Sequence, residues 1–439
     1  MGAWEMARFF FVLPGAGDRR AWAAALAATL LLAGCVGPET MIPPRSVGRT
    51  TAAAPPPPGP VYEAEPAPAV GSVTPLPYGA PLPGAQPGGT TIGGGPVRIA
   101  LILPLSGQGQ SAVAAQSLKN AADLALTEAQ GTDLTILVKD DRGTPEGARE
   151  AASQAVAEGA ELILGPLFAG SVQAAGQVAR QAGKPVVAFS TDTTVAAPGI
   201  YLLSFLVQAE VDRIVSYAAQ QGRRSVAALV PETTYGRVAE AQFQRAAARH
   251  GLRVAAVERY AAGQPQAAVQ RLAHAISGPT PQADAVFIPE SGDGLPAVAQ
   301  ALQTVGFDPQ RVKPLGTGIW NEARVHALPA LQGGWFAAPD NRGFEAFAAR
   351  YRARFNTDPI RLATLSYDAV TLAVALNRAR GPQRYTEGVL TDPAGFAGAD
   401  GVFRFKPDGT NDRALAVQEI RGGGAVMVSA APRMLMASN

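Results

Sequence analysis

Residues 97–105 read VRIALILPL, and runs of the same kind return at Leu134 to Lys139 (LTILVK), Glu161 to Leu164 (ELIL) and Pro185 to Phe189 (PVVAF). Each run is of strand length and almost continuously apolar. Between them lie Ala-rich stretches with helical spacing near Ser111 to Ala129, Pro145 to Glu158 and Ser171 to Gln181. The order is βαβαβαβ. A strand apolar at every position must be covered on both faces, which a parallel sheet between two helix layers provides. Such sheets place ligands at the carboxyl ends of their strands, so functional residues are expected in the loops between strand and following helix.

After Tyr201 to Phe205 the pattern restarts. A helix near Ala209 to Gln220 precedes strands at Ser225 to Val230, Arg253 to Val257 and Ala283 to Ile288, with helices at Val238 to His250, Pro265 to Ile276 and Leu295 to Val305. Two similar α/β halves are therefore expected.

The N-terminus has another character. Arg8, Arg19 and Arg20 precede the apolar run Ala21 to Leu32 (AWAAALAATLLL), which ends in Ala33-Gly34-Cys35. A dozen apolar residues are too few to span ~30 Å of hydrocarbon, so the pattern fits a signal peptide over residues 1–34 better than a membrane helix. Leu32-Ala33-Gly34-Cys35 resembles the bacterial lipobox, which implies cleavage before Cys35 and acylation of that residue, the single cysteine of the chain. Val36 in place of Asp favours the outer membrane, the body facing the periplasm. Residues 35–96 contain 16 of the 37 prolines, including Pro55 to Pro58, and carry almost no periodic apolar pattern. A Pro/Gly-rich tether is expected there, with the folded body beginning at Val97.

Composition removes several classes of function. A net charge of +2 from 37 basic and 35 acidic residues gives no nucleic-acid footprint. One cysteine excludes a disulfide framework, and His250, His274 and His326 lie too far apart for a helical metal pair. Gly107 to Ala112 (GQGQSA) has the GxGxxA form of a dinucleotide loop, but Leu105-Ser106 intervene after the strand. The next strand-end acid, Asp140, lies over thirty residues beyond Gly107 against the ~20 expected. Ser106 lacks the flanking glycines of a nucleophile elbow, and Asp140 and Asp141 suit capping of the Pro145 helix or pairing with Arg142 better than acid/base work. No catalytic residue, metal or cofactor is nominated.

The loops themselves carry a resemblance. Ile99 to Gln110 (IALILPLSGQGQ), Asp140-Asp141, Leu164 to Leu167 (LGPL), Phe189 to Thr194 (FSTDTT) and Tyr235-Gly236 fall in the order and spacing of the leucine/isoleucine/valine-binding family of type I periplasmic binding proteins. The resemblance runs from about Val97 to about Val428. The LPLSGQG and LGPL loops, with Leu315 to Asn321 (LGTGIWN) and Leu331 to Ala337 (LQGGWFA), are most similar to the lipoproteins called penicillin-binding-protein activators.

This resemblance implies an α/β fold of two lobes joined by three crossings, with a cleft between them. Lobe 1 would take about 97–205 and 339–388, and lobe 2 about 206–338 and 389–430. It implies a non-enzymatic function, either activation of a bifunctional penicillin-binding protein or solute capture for an ABC transporter of an amino acid or another small polar ligand. Cleft residues would be Ser106, Ser171, Thr191, Asp192, Thr194, Tyr235, Glu290 and Trp320. Ser171 stands where a hydroxyl meets the ligand carboxylate, or is a helix cap; Thr194 matches a second hydroxyl. Tyr235 matches an aromatic that packs over the ligand, or is a hinge tyrosine. Glu290, with Ser291, would make one wall polar. Trp320 would fill the cleft, face a partner or pack in the core. Gly316 to Trp320 (GTGIW) offers no acid where amino-acid binders pair one with the ligand ammonium, so weak binding of branched-chain amino acids is expected.

Overall fold

The structure is a computed structural model that describes residues 90–131 and 133–435. The leader, Cys35 and nearly all of the tether lie outside the described residues. In chain order the elements are β1 (Thr91–Gly93), β2 (Val97–Leu103), α1 (Gln110–Glu128), β3 (Leu134–Asp140), α2 (Pro145–Ala157), β4 (Ile163–Leu164), α3 (Ala169–Gln181), β5 (Val186–Ala188) and β6 (Ile200–Leu202). Next come α4 (Val207–Gln220), β7 (Ser225–Pro231), α5 (Thr234–Arg249), β8 (Arg253–Tyr260), α6 (Gln266–Ile276), β9 (Ala285–Phe287), α7 (Leu295–Thr304), β10 (Lys313–Gly316), α8 (Ala323–His326) and β11 (Trp335–Ala338). The chain closes with α9 (Asn341–Phe355), α10 (Ala363–Arg380), α11 (Glu387–Leu390), β12 (Phe396–Gly398), β13 (Gly401–Phe405), β14 (Asn411–Arg413), β15 (Ala416–Arg421) and β16 (Gly424–Ser429).

Two sheets organise two lobes. The first has the order β1-β3-β2-β4-β5-β6 and the second β16-β15-β11-β10-β9-β7-β8. Setting aside the antiparallel additions β1, β15 and β16, the strands are parallel in both, and each lobe shows one doubly wound order, 2-1-3-4-5. β2, β3 and β7 bury residues on both faces, as their uninterrupted apolar runs require. Local chemistry sets the helix starts: Thr144 caps α2 by accepting from the Gly147 amide, with Pro145 at the first helical position. Gly147 is needed because a Cβ there would lie 2.1 Å from the Asp141 carbonyl oxygen. The cap is thus Thr144, not Asp140 or Asp141. Asp140 instead accepts from the amides of Ser106 and Arg142, while the Arg142 side chain pairs with Glu150.

Two expected boundaries move. The body begins before Val97, because Thr91–Gly93 pairs antiparallel with the edge of β3 and Ile92 packs against the first core. An open strand edge accepts even three residues of extended chain. Gly401–Phe405, expected in lobe 2, belongs to lobe 1. Phe403 and Phe405 point to one side of β13 with period two and enter the core that holds Tyr201 and Leu203; the Tyr201 and Phe405 rings are 5.4 Å apart. The last crossing therefore falls after Arg413, and lobe 2 regains the chain at Ala414 rather than near residue 389.

The crossings run at 205–206, near Pro339 and at 413–414. Two are fastened together: the Ser204 carbonyl accepts from Asn411 Nδ2 at 3.0 Å and Arg413 Nε at 3.4 Å. The Phe205 ring lies between the guanidinium groups of Arg361 and Arg413, at 5.0 and 4.8 Å. Among the described residues, no helix is long and apolar enough to cross a membrane.

Candidate functional site

The carboxyl ends of the strands in lobe 1 carry the loops 104–109, 141–144, 165–168 and 189–194. Ser106, Thr191, Asp192 and Thr194 are exposed on these loops. Asp192 shapes the last of them, its Oδ1 accepting from the Thr194 amide at 2.9 Å and the Thr194 hydroxyl at 2.7 Å. Gln208, at the start of α4, reaches back to Thr193 Oγ1 at 3.3 Å, tying this loop to the first crossing. Phe168 precedes α3 without a side-chain cap, so the first amides of that helix retain their capacity to bind an anion.

Ser171 does not join this surface. It is buried in the first turn of α3 beside Asp141, which has no solvent exposure. Ser171 Oγ and Asp141 Oδ2 both lack a hydrogen-bond partner among the described residues. The hydroxyl lies near enough to favour the charged carboxylate but outside bonding geometry. Burial pushes the Asp141 carboxyl up to about 6, against the amide of Gly143, which lowers it. Ser171 is thus neither a cap nor exposed to solute.

In lobe 2 the carboxyl ends of β7 and β10 converge. Tyr235 is half-buried, and its hydroxyl lies 2.6 Å from Thr317 Oγ1. One residue further, the Gly318 amide donates to Glu210 Oε2 at 3.0 Å. The GTGIW loop therefore has a carboxylate after all, delivered by the first turn of α4 from 108 positions away. Burial raises the Glu210 carboxyl to about 7, and the Gly318 amide and the charge of Arg361 act in the opposite direction. Arg361 belongs to lobe 1, where Asp400 holds it by two hydrogen bonds of 2.6 and 2.8 Å. Burial, with the Glu210 charge second, also pushes the Tyr235 phenol up.

Glu290 and Trp320 turn inward. Glu290 is buried, with one oxygen accepting from the Tyr260 hydroxyl at 2.6 Å and the other from the amide and hydroxyl of Ser291 at 2.7 and 3.0 Å. Both oxygens are thereby used within lobe 2. Trp320 has no exposed surface and joins the core with Leu331 and Phe336. Its indole folds over Gly316, where a Cβ would stand 2.1 Å from the ring, so the first glycine of GTGIW is there to admit the tryptophan. Trp320 is a core residue, not a cleft surface.

Sequence reasoning missed Glu210. The signal was present: Val207, Glu210, Val211 and Ile214 share the buried face of α4, an acid inside an apolar stripe at helical spacing. Asp368 follows the same pattern between Leu365 and Leu372 on α10, and burial lifts its carboxyl to about 7.

Comparison with known proteins bears on the fold. The periplasmic binding protein family profile covers residues 96–425, and the chain belongs to that family. Among solved structures, a putative branched-chain amino acid ABC transporter protein from Rhodospirillum rubrum superposes with a TM-score of 0.68 at 20% identity, over 76% of this chain and 99% of that one. An ABC transporter solute-binding protein from R. palustris in complex with benzoate gives 0.54 at 19%, over 78% and 98%. The branched-chain amino acid transporter substrate-binding protein of Streptococcus pneumoniae in complex with isoleucine gives 0.55 at 18%, over 76% and 99%. No curated protein matches the sequence.

Proposed function

We propose that this chain is the solute receptor of an ABC transporter, taking a small carboxylic acid, amino acids included. The observation that carries this reading is the polar set at the carboxyl ends of β7 and β10. Glu210, Tyr235 and Thr317 are joined there by hydrogen bonds to the loop facing lobe 1. Across the cleft, the uncapped start of α3 supplies amides suited to a carboxylate. The two ligands named with similar folds, benzoate and isoleucine, share a carboxylate and differ in the ammonium. Glu210 is as buried as Glu290 but sits within reach of the Arg361 charge from lobe 1; on this reading it discriminates, since ionised it accepts a hydrogen bond from an ammonium and neutral it donates one. The expectation of weak amino-acid binding rested on the lack of an acid at GTGIW, and Glu210 removes that premise.

Activation of a peptidoglycan synthase, implied by the resemblance of the LPLSGQG and LGPL loops, gains no support from the solved structures named above. Lipidation at Cys35 and a tether to the outer membrane complete the proposed receptor, on the strength of the Leu32 to Cys35 motif and the Pro-rich segment.

The test is calorimetry of the processed chain against isoleucine, leucine, benzoate and glutamate. A Kd of about 10 µM or tighter for at least one acid is expected. If none binds below about 1 mM, while the protein stimulates a purified bifunctional penicillin-binding protein, the receptor reading fails and the synthase activator replaces it.

A further inference from the structure

The far end of lobe 2 carries a second polar concavity. Lys313 opens β10 at the end opposite Thr317, and a cavity of about 350 Å³ lies beside it, lined by Gln310, Lys313, Gly333, Glu419 and Arg421 among others. Beneath Lys313 lies Trp335. The ammonium stands 4.9 Å from the indole centroid and the Arg223 guanidinium 5.6 Å from the same ring, so two cations share one aromatic.

The carboxylate in this wall is already engaged. Glu419 accepts from the Trp335 indole at 3.0 Å through one oxygen and from Arg421 at 2.6 Å through the other. Asp284, whose carbonyl oxygen accepts from Arg223 Nη1 at 3.4 Å, gives its carboxylate to the backbone amides of Arg224 and Ser225. Arg421 donates to one Glu419 oxygen through Nε at 3.1 Å and Nη2 at 2.6 Å; Lys313 and Arg223 are less well satisfied. Lys313 donates to the Gly333 carbonyl at 2.8 Å, which uses one of its three protons, and Arg223 Nε is buried without a partner among the described residues. Burial, reinforced by Arg223 and Arg421 and opposed by Glu419, holds the Lys313 ammonium below the usual lysine range. Gly333 keeps the space open. At φ +75°, a Cβ there would stand 3.3 Å from Lys313 Nζ and 3.8 Å from Gln310 Nε2, so both donors converge above a residue without a side chain.

We propose that this cavity binds a phosphate group, held by Lys313, Arg421 and the Gln310 amide and relieving the repulsion among Arg223, Lys313 and Arg421. The phosphate is inorganic or carried on a lipid headgroup, and the chemistry recognised is the same. The site is independent of the solute cleft, which lies at the other end of β10.

The test uses the mature chain without its acyl group, so that no anchor inserts into vesicles, in buffer of fixed chloride concentration. Inorganic phosphate is titrated by calorimetry, and co-sedimentation is measured with phosphatidylglycerol and phosphatidylcholine vesicles. Saturable phosphate binding with a Kd of about 1 mM or below is expected, weakened about tenfold by Lys313→Met, which keeps the aliphatic stem over Trp335. Gln310→Glu, at an exposed position with no demand on folding, should weaken it similarly by placing a carboxylate at the mouth. Lys313-dependent sedimentation with phosphatidylglycerol alone would assign the phosphate to a membrane, and its absence beside phosphate binding would assign a soluble ion. Absence of both, or binding unchanged in both variants, would overturn the proposal.

Discussion

Glu210 and Gly318 meet through one hydrogen bond of 3.0 Å, which puts an acid from α4 onto a loop whose own sequence has none. On the receptor reading proposed above, this pairing would decide what the lobe 2 wall offers a ligand.

Substituting Glu210→Gln keeps an acceptor for the Gly318 amide and removes the charge. Binding of an amino acid should weaken by about tenfold or more, whereas binding of an aromatic acid without an ammonium should change little. Parallel titrations of isoleucine and benzoate provide the check. Equal losses for both ligands would remove Glu210 from discrimination.

The same substitution should show in stability. The folded carboxyl titrates near 7 against an ordinary 4.5. The unfolded chain therefore loses this proton first, and stability is lost as pH rises from about 4.5 through about 7. Glu210→Gln should thus gain over the parent protein at pH 8.5, by at most an amount on the order of 3 kcal/mol, and gain little at pH 5. Melting temperatures at the two pH values measure it, and a gain independent of pH would refute the assignment.

Trp320→Ala should act on folding. The side chain has no exposed surface, so its loss opens a cavity in lobe 2 and should cost roughly 3–5 kcal/mol in a denaturant titration. A change under about 1 kcal/mol with altered ligand affinity would return Trp320 to the cleft.

Ser171→Ala, by contrast, removes a hydroxyl without a hydrogen-bond partner among the described residues, and both stability and solute affinity should shift by less than about 1 kcal/mol. A tenfold loss of affinity would mean that the hydroxyl reaches the ligand.

Cys35→Ser should release the protein from the membrane fraction or leave its leader uncleaved. Normal processing and unchanged membrane association would rule out the anchor.

The sheets were legible because their central strands, β2, β3 and β7, are almost continuously apolar and buried on both faces, a pattern that few other arrangements satisfy. The loops were legible in place but not in direction. Ser171, Glu290 and Trp320 stand near strand ends as expected, yet each turns into its lobe because a buried neighbour or a glycine-made space receives it. Glu210 was hidden for the converse reason. Its position within α4 says only that an acid is buried, and its partner on β10 is fixed by tertiary packing. The two displaced boundaries share a cause in short strands of three to five residues, β1 and β13, whose placement depends on an available edge or core.

β1 has a mechanical meaning. The described chain enters lobe 1 through Thr91–Gly93, on the outer edge of its sheet. Any pull transmitted from earlier residues loads that strand and its hydrogen bonds to β3 before it reaches a crossing. On the proposed reading, with an anchor at Cys35 and closure on a solute, lobe 1 would be the fixed member and lobe 2 the one that swings, and closing would not drag the attachment point with it.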